Sequence, residues 1–507
     1  MNDTAAPAAE TDEQVPWSRL DRRMLLIHPI EEILRLLPVL AGSFVIGTTS
    51  GNPGWGLVAT GVLVLVGLLR WFTTTYRVGP VHVELRRGLL QRRELSIPRS
   101  RIRSVDVEQR LLHRVLGLAV VKIGTGQSGG ADRNRFELNG LPIAAVPELR
   151  AVLLTGGEQG AAPSELSEPM PVSAVPTERQ LARFDPGWVR YAPFSTTGLL
   201  AVAAIAGAAF QFGLGRWIAE SQVVRRAVEA AEDLGLVVAL VILVLVVVLV
   251  ASPAACVRYL MVYGDLRVTD DDRVLRIAHG LLTTRHTTLD RARLRGVALR
   301  EPLALRLVGA ARLDAVMTGR TAQQGGSSLV LPSAPDGEVR RVAAEVLTQR
   351  LPLDAPLRSH GPRARRRRYV RTLWPVGVVV VVGLAALTVT ERRVPVPVLV
   401  TVIVLLVAGA CALAQDRYRG LGHAVVDGHL VARSGSIDRQ RICLDADGVI
   451  GWTVRQTFFQ RRAGLATVVA ATPAGSGRYE VIDIPVDEAW ALVQEVTPGM
   501  GEGWIET

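Results

Sequence analysis

The feature that most constrains this chain is the apolar run at residues 234–257, which contains no charged residue. An α-helix needs about 20 such residues to cross the roughly 30 Å of hydrocarbon in a bilayer, whereas a buried strand rarely exceeds about eight. We therefore expect a transmembrane helix here. Five similar stretches accompany it, the first of them weakened by Arg35 and Pro38. They are residues 33–48, 55–71, 194–215, 374–390 and 394–414.

The six stretches form three pairs, because the connectors within the pairs are short: residues 49–54, 216–233 and 391–393. Each pair is predicted to be a hairpin that returns the chain to its starting side. The termini and the segments between hairpins would then share one side of the bilayer. Arginines cluster near the helix ends on that side, so the positive-inside rule places it in the cytoplasm. We expect a multi-pass protein of the inner (plasma) membrane with both termini cytoplasmic.

Composition agrees with alternating lipid-embedded and aqueous parts, since 49% of the residues are hydrophobic and 21% are charged. The three cysteines, Cys256, Cys411 and Cys443, are far apart, which excludes a disulfide framework and a thiolate zinc site. The net charge of +11 suits either nucleic acid or an anionic membrane. Because the densest arginine run directly precedes a predicted span, we assign it to lipid headgroups and expect no nucleic acid partner.

The three aqueous segments are copies of one another. Each copy has a glycine in a turn, and about thirty residues align after it without a gap. A Gln-x-x-x-x-Arg-x-x-Gly signature lies within that stretch, with glutamate in place of glutamine in the middle copy. The aligned residues are Gly88, Gln109, Arg114 and Gly117; Gly280, Glu301, Arg306 and Gly309; and Gly435, Gln456, Arg461 and Gly464.

Around these anchors, apolar and polar residues alternate as in half-buried antiparallel strands. Each copy ends in a predicted amphipathic helix, over residues 147–154, 338–347 and 487–496. In the last of these, Ala489, Leu492, Val493 and Val496 form one face. Several short strands closed by a helix predict a small β-barrel or sandwich with a helical cap.

This pattern resembles the bacterial pleckstrin-homology-like (PH-like) membrane-flanked domain family, and in particular its long multi-repeat YdbT-like branch, often encoded beside a shorter YdbS-like partner. The resemblance covers most of the chain, although the middle copy departs at Glu301, Pro302 and Ala310. It implies a PH-like fold, membrane residence, and a link to envelope stress and resistance to membrane-active peptides. It also implies a partner membrane protein, for which a shorter homologue is the candidate.

The predicted fold class is therefore an α+β membrane protein with three transmembrane hairpins, each followed by a PH-like β-barrel or sandwich capped by a C-terminal helix. The predicted boundaries follow. They are an N-terminal tail at 1–32, hairpin 1 at 33–72, domain 1 at 73–155, a linker at 156–187, hairpin 2 at 188–262, domain 2 at 263–353, an Arg-rich linker at 354–369, hairpin 3 at 370–416 and domain 3 at 417–498.

Most of the repeated residues have an expected structural role. The glycine that ends the signature supplies a positive φ or a close backbone approach. The arginine three residues earlier either binds a lipid phosphate or fixes its own turn, and we favour the turn. Other arginines are candidates for contacts with anionic headgroups, although those of the first domain also suit a solvated strand edge. The candidates are Arg92, Arg93, Arg99, Arg101 and Arg103, and Arg365, Arg366, Arg367 and Arg368.

Enzyme motifs are weak. Residues 126–130 match Gly-x-Ser-x-Gly, but Ser128 lies in a glycine-rich hairpin instead of between a strand and a helix. No phosphate-binding loop, dinucleotide fingerprint or metal-ligand spacing is present. We therefore expect no enzymatic activity, no cofactor and no metal.

The predicted function is a non-enzymatic scaffold or sensor whose cytoplasmic domains bind a protein, a peptide or a lipid. Strand addition to an exposed barrel edge is the leading binding mode. The alternatives are a six-helix transporter or channel component with PH-like regulatory domains, and a membrane hydrolase that uses Ser128. A transporter would be expected to carry acidic residues within its spans, and the clear spans have none.

Overall fold

A computed structural model describes about three fifths of the chain. The described residues are 16–19, 21–24, 27, 75–79, 81–87, 93–99, 102, 104–124, 136–149, 178–195, 198, 207, 252–318, 327–347, 351–390 and 394–500. The first predicted hairpin lies outside these residues, and of the second only residues 188–195, 198, 207 and 252–262 are described. Several residues singled out above also lie outside them, namely Gly88, Arg92, Arg101, Arg103 and Ser128.

Each repeat contributes six strands, which the alternating sequence pattern predicts in outline. The strands of the first repeat are β2 (Thr75–Val78), β3 (His82–Arg87), β4 (Arg93–Pro98), β5 (Ser104–Gln109), β6 (Leu118–Gly124) and β7 (Phe136–Pro142), with a short β1 (Ser18–Arg19) beside β2. Those of the second are β9 (Arg267–Asp270), β10 (Val274–His279), β11 (Thr284–Asp290), β12 (Leu294–Pro302), β13 (Ala310–Met317) and β14 (Ser327–Pro335), preceded by β8 (Arg179–Arg183). Those of the third are β15 (Gly422–Val426), β16 (His429–Ser434), β17 (Asp438–Asp445), β18 (Gly451–Arg455), β19 (Leu465–Ala471) and β20 (Arg478–Pro485).

Short helices follow the fourth strand of each repeat, and longer ones cap the repeats or connect them. They are α1 (Leu111–Val115), α2 (Leu303–Leu307), α3 (Asp336–Leu347), α4 (Leu351–Asp354), α5 (Gly361–Val389), α6 (Val396–Arg419), α7 (Phe458–Ala463) and α8 (Val486–Val496). Residues 252–263 are also helical. Short 3₁₀ turns occur at Ile143–Ala145, Pro186–Tyr191, Arg291–Arg293 and Ala446–Gly448.

The described strands form four antiparallel sheets. Their orders are β1-β2-β3-β4, β7-β6-β5-β11-β10-β9-β8, β14-β13-β12-β17-β16-β15 and β18-β19-β20. By contact density the chain divides into two compact units, the first comprising residues 1–180 and 264–291 and the second residues 181–263 and 292–507. The division falls inside the predicted second domain, because strands of successive repeats share a sheet.

The core of the first unit lies between the two sheets of the first repeat. Inward residues of β3, β5, β6 and β7, among them Val83, Val107, Val121 and Leu138, are almost completely buried. Alternate residues of a strand point to opposite faces, so the period of two seen in the sequence produces one apolar face on each sheet. The predicted sandwich is therefore present in this repeat.

In the second unit, the core of the third repeat includes one face of α8. Ala489, Leu492, Val493 and Val496 are buried there against residues of β16, β17, β19 and β20. This is the face that the helical period predicts, and the prediction is confirmed. The corresponding helix of the second repeat, α3, buries Val339, Val342, Ala343 and Val346.

The two long helices α5 and α6 differ from the others in composition and exposure. Both are long and apolar enough to cross a membrane, with mean hydropathies of 2.2 and 2.8, and only 6% of each apolar window is buried within the protein. At one end Tyr369 donates a hydrogen bond to Gln415 at 3.0 Å. These helices occupy the third predicted hairpin, and they are the only two membrane-span candidates among the described residues.

Two of the sheets join successive repeats. β5 of the first repeat pairs antiparallel with β11 of the second, and β12 of the second pairs antiparallel with β17 of the third. In both joints the fourth strand of one repeat pairs with the third strand of the next. The sequence predicts three separate barrels, whereas in the structure two of the four sheets extend across a repeat boundary. Pairing satisfies the main-chain groups that an edge strand leaves exposed.

Both joints have the same register. Positions are counted here as residues after the aligned glycine of each repeat, Gly88, Gly280 or Gly435. In the first joint, Glu108 at position 20 lies opposite Arg285 at position 5. In the second joint, Arg300 at position 20 lies opposite Gln440 at position 5. The shared register indicates that the joint is a property of the repeat and not of one pair of strands.

Position 16 shows how closely the strands approach in the second joint. Gly296 occupies this position with φ +150°, and a Cβ there would lie 2.0 Å from the carbonyl oxygen of Cys443 on β17. Gly451, at the same position of the third repeat, would meet nothing within 4 Å among the described residues. Of these two glycines, only Gly296, which lies within a joint, is required because a larger side chain would clash.

We expect Gly296→Ala to destabilise the second unit by about 2 kcal/mol, because the strands must separate to admit a methyl group. Gly451→Ala is the matched control and should change stability by no more than about 0.5 kcal/mol. Denaturant unfolding of the purified full chain in detergent measures both. Equal effects of the two substitutions would contradict the joint geometry.

Candidate functional site

The repeat signature builds the turn between the fourth and fifth strands. Its final glycine is left-handed in every copy, with φ +70° at Gly117, +69° at Gly309 and +63° at Gly464, which confirms the predicted positive φ. The carbonyl oxygen of each glycine accepts a hydrogen bond from the N–H group at the end of the sixth strand or just after it. The donors are Ile143, Asp336 and Val486. This bond ties the signature turn to the segment that closes the repeat.

The signature glutamine bridges the same turn. The Gln109 side chain donates to the carbonyl oxygen of Leu118 at 3.3 Å, and Gln456 donates in the same way to Leu465 at 2.8 Å. Glu301 occupies this position in the middle repeat, and its carboxylate cannot donate a hydrogen bond to a main-chain carbonyl. It instead accepts a charge-assisted hydrogen bond of 2.9 Å from Arg340 on α3. The glutamine therefore has a structural role, and an ion pair replaces it where the sequence departs.

The signature arginine contacts the next repeat instead of its own turn. Arg114 donates to the carbonyl oxygen of Leu281, one residue after the aligned glycine of the second repeat, at 3.2 Å. Arg306 pairs with Asp416, which precedes the strands of the third repeat, at 2.9 Å. Arg461 has no following repeat and is exposed. The favoured expectation of a purely local role is thus wrong for the first two arginines, and lipid binding by Arg461 stays a prediction.

Asp416 is the centre of a charged cluster at the end of α6. Besides Arg306, its carboxylate accepts hydrogen bonds from Arg439 at 2.9 Å and from the Ser436 hydroxyl at 2.6 Å. The sequence analysis missed this residue. A signal was present, because a carboxylate in the last turn of a helix opposes the helix dipole and needs a cationic partner.

A β-bulge in the sixth strand of each repeat receives the segment that precedes the strands. In the first repeat, the N–H of Asp21 donates to the carbonyl oxygen of Gly140 at 3.3 Å. In the second, the Tyr259 hydroxyl donates to the carbonyl oxygen of Ser333 at 2.7 Å. In the third, the bulged residue is Asp483, with φ +59°. Bulges re-aim a strand and are common at functional sites; here they provide attachment points.

Asp483 holds the start of α5 against the third repeat. Its side chain is fully buried and forms ion pairs with Arg367 and with Arg368, the latter at 2.7 Å. Gln460 of α7 donates a further hydrogen bond to it at 2.9 Å. Two of the four arginines at 365–368, which are expected to contact lipid headgroups, thus have a protein partner.

Arg365 and Arg366 remain exposed at the start of α5, and their contact with headgroups stays a prediction. In the first repeat, Arg93 and Arg99 lie in and just after β4, at the edge of its sheet. Both readings of these arginines, as lipid contacts and as a charged strand edge, therefore remain open.

A buried histidine pair lies at the same attachment. His360 Nδ1 donates to the carbonyl oxygen of Ile482 at 2.9 Å, so its Nε2 accepts a hydrogen bond of 3.0 Å from His423 Nδ1. This arrangement requires the His360 ring to be neutral, because a protonated Nε2 could not accept the hydrogen bond. Burial lowers the pKa of His360, and burial together with the neighbouring His360 lowers the pKa of His423 to about 4. Sequence spacing did not indicate this pair.

The third repeat ends in an open strand edge. β18 pairs with β19 on one side and with no described strand on the other. Beside it, the rings of Phe458 and Phe459 pack edge to face with each other and are each 72% exposed. Arg455 lies on the same strand and pairs with Glu480 at 2.9 Å. An open edge flanked by exposed aromatic rings is the best candidate site for a partner in the described part of the chain.

Metal chemistry finds no support in the described ranges, where no group of three or more His, Cys, Asp and Glu residues is placed to hold an ion. Ser128 lies outside them, so the hydrolase alternative is untested.

We expect Asp483→Asn to destabilise the attachment of α5 by about 3 kcal/mol or more, because it leaves two buried guanidinium groups without a counter-charge. Asparagine tolerates the left-handed backbone conformation, so the substitution tests charge alone. Thermal unfolding in detergent measures the loss. The control is Glu480→Gln, which removes a more exposed ion pair and should cost at most about 1 kcal/mol. A neutral Asp483→Asn would contradict the role of this carboxylate.

The histidine pair predicts a loss of stability at acid pH. The histidines of the unfolded chain take up protons near pH 6.5, whereas the pKa of His423 in the folded protein is about 4 and that of His360 is also lowered. The free energy of unfolding should therefore fall as the pH drops through this window, since the unfolded state binds more protons. Unfolding midpoints at pH 7.5 and 5 measure the effect. His423→Asn should reduce the pH dependence, and His429→Asn, at a histidine outside the pair, should leave it unchanged.

The comparison with known proteins rests on the repeats. The profile of a family described as "Bacterial PH domain" matches residues 33–155, 200–349 and 378–498. No curated protein and no solved structure shows a significant match to the chain. The three matched segments contain the three copies of the signature and together cover most of the sequence. The chain therefore belongs to the bacterial PH domain family and carries three copies of its domain.

Proposed function

We propose that this protein is a non-enzymatic integral membrane scaffold or sensor. Three hairpins would hold its three PH domains at the cytoplasmic face of the inner membrane, where the domains bind a protein or peptide partner and contact anionic lipid. The observation that carries the proposal is that the chain already joins its own domains by strand pairing, while one edge of β18 has no partner among the described strands.

The exposed composition of α5 and α6 supports membrane insertion. Large apolar side chains such as Val379, Val381, Val404 and Leu405 are between 53% and 66% exposed, which is unfavourable in water and favourable in hydrocarbon. The two helices lie where hydropathy predicts the third hairpin. Arg365 and Arg366 at the start of α5 would meet the headgroups, where each basic residue contributes about 1 kcal/mol.

The partner is proposed to be a membrane protein, and a shorter homologue is the candidate suggested by the resemblance to YdbS- and YdbT-like proteins. The same resemblance suggests envelope stress and resistance to membrane-active peptides as the setting. Tethering domains at one surface raises the effective concentration of each for a partner already held by another. Modest affinities at single domains would then be sufficient.

The topology is tested with single cysteines at three equivalent exposed positions, Val115, Leu307 and Arg462, which all lie 27 residues after the aligned glycine. Cys256 and Cys411 are replaced by alanine. We expect all three sites to be shielded from a membrane-impermeant thiol reagent in intact cells and labelled in inverted vesicles.

Labelling of one site from outside the cell would contradict the three-hairpin topology. The scaffold role is tested separately by purification from the same membranes. Gentle detergent extraction should recover the full chain with a stoichiometric protein partner or with bound anionic lipid. Recovery of a lipid-free monomer would count against a scaffold.

A further inference from the structure

The open edge of the third repeat has the same elements that hold the next repeat in the two internal joints. In the second joint, the N–H of Leu303 at position 23 donates to the carbonyl oxygen of Ile437 in the incoming turn at 2.7 Å. Leu303 is 36% exposed, whereas Phe458 at the same position of the third repeat is 72% exposed. Position 23 of the third repeat is thus more exposed than its counterpart in the second joint, where the incoming turn covers it.

The charge at position 20 indicates what the incoming strand must carry. In the first joint, Glu108 at this position pairs with Arg285 of the incoming strand at 3.3 Å. In the second, Arg300 lies 3.8 Å from Asp438, at position 3 of the incoming strand. The charges are of opposite sign in both. Arg455 occupies position 20 of the third repeat and pairs with Glu480 of its own repeat, as Arg300 pairs with Asp314. A carboxylate on the covering strand would add the second partner that Asp438 gives to Arg300.

Among the described residues, a second copy of this chain offers no open third strand that supplies that carboxylate. Its only open third strand among the described residues is β4. In the register of the internal joints, β4 would place Arg93 directly opposite Arg455, with Gln91 at position 3. Like charges placed directly opposite each other on paired strands are destabilising. Charge complementarity therefore favours a strand from a different polypeptide.

We propose that the β18 edge docks an extended segment of another protein, paired antiparallel in the register of the two internal joints. This segment carries a carboxylate within reach of Arg455 and apolar residues in the turn before it, which cover Phe458 and Phe459. The proposal rests on the scaffold function above and names the chemistry of its partner. Main-chain hydrogen bonds supply the affinity, and the residues at positions 3 and 5 supply the selectivity.

The test uses a probe taken from the chain itself, a peptide with the sequence of residues 435–445, which natively covers Arg300. The peptide carries Ile442→Cys, at position 7, with Cys443→Ser. The full-length protein in detergent carries Thr453→Cys, at position 18, with Cys256→Ala and Cys411→Ala. Burial raises the pKa of the Cys443 thiol of the protein to about 12, so this residue remains. Mixed-disulfide formation in a glutathione buffer measures capture.

We expect efficient capture of this peptide and several-fold weaker capture of one with Arg441→Cys instead, since a one-residue shift points the side chain to the other face. Asp438→Arg in the peptide should reduce capture by roughly two- to five-fold. Arg455→Glu in the protein should reverse that preference. The matched control is Ala298→Cys, at position 18 of the internal joint, which should capture no peptide because β17 covers it.

Three results would overturn the proposal. The first is capture that does not depend on the cysteine position. The second is better capture of a peptide with the sequence of residues 88–98, carrying Leu95→Cys, which would indicate a second copy of this chain. The third is absence of capture together with protection of Phe458 and Phe459 by anionic lipid vesicles, which would assign the surface to the bilayer. None of these readouts depends on membrane topology, so failure here is distinguishable from failure of the three-hairpin arrangement.

Discussion

An exposed strand edge leaves a row of main-chain donors and acceptors without partners, and the arrangement of the repeats follows from satisfying them. Each repeat has an edge at its fourth strand, and the third strand of the following repeat covers it. Because both joints have the same register, corresponding positions contact the next repeat in each of them. The signature arginine reaches the next repeat in both, and position 20 faces an opposite charge in both. The edge is thus the constraint from which the neighbouring side chains take their roles.

The attachment of α5 and α6 to the third repeat is equally specific. Asp416 at the end of α6 and Asp483 in the β20 bulge each bind two arginines. The histidine pair adds a hydrogen-bonded link between the start of α5 and β15. The ion pairs of Asp483, whose carboxylate is fully buried, are costly to break by removing one partner. These contacts attach α5 and α6 firmly to the third repeat within the second unit. The proposed sensor role requires such an attachment, because a change at the helices must be transmitted to the domain.

Local features of the fold could be predicted from the sequence. The left-handed glycines, the strands around them and the buried face of α8 all follow from short-range rules of backbone conformation and periodicity. The joints could not be predicted in this way, because β5 and β11 are joined by contacts such as that between Gln109 and Thr284, which are 175 residues apart. The bulges could not be predicted for a different reason. Glycine, serine and aspartate occupy the bulged sites of the three repeats, so no shared residue type marks them in the sequence. The role of the signature arginine could not be predicted, because its partners lie in the next repeat and short-range sequence rules do not identify contacts between repeats.

The long separation of the paired strands also bears on how the protein is made. The ribosome completes β5 well before β11, and β12 well before β17, and in the proposed topology a hairpin must enter the membrane in each interval. Until the next repeat has been made, the fourth strand of the newly made domain has an exposed edge, and such an edge is prone to aggregation. Synthesis from the N-terminus would close the joints one after the other, so that a chain stalled before a joint forms exposes a strand edge of the kind that β18 presents among the described residues.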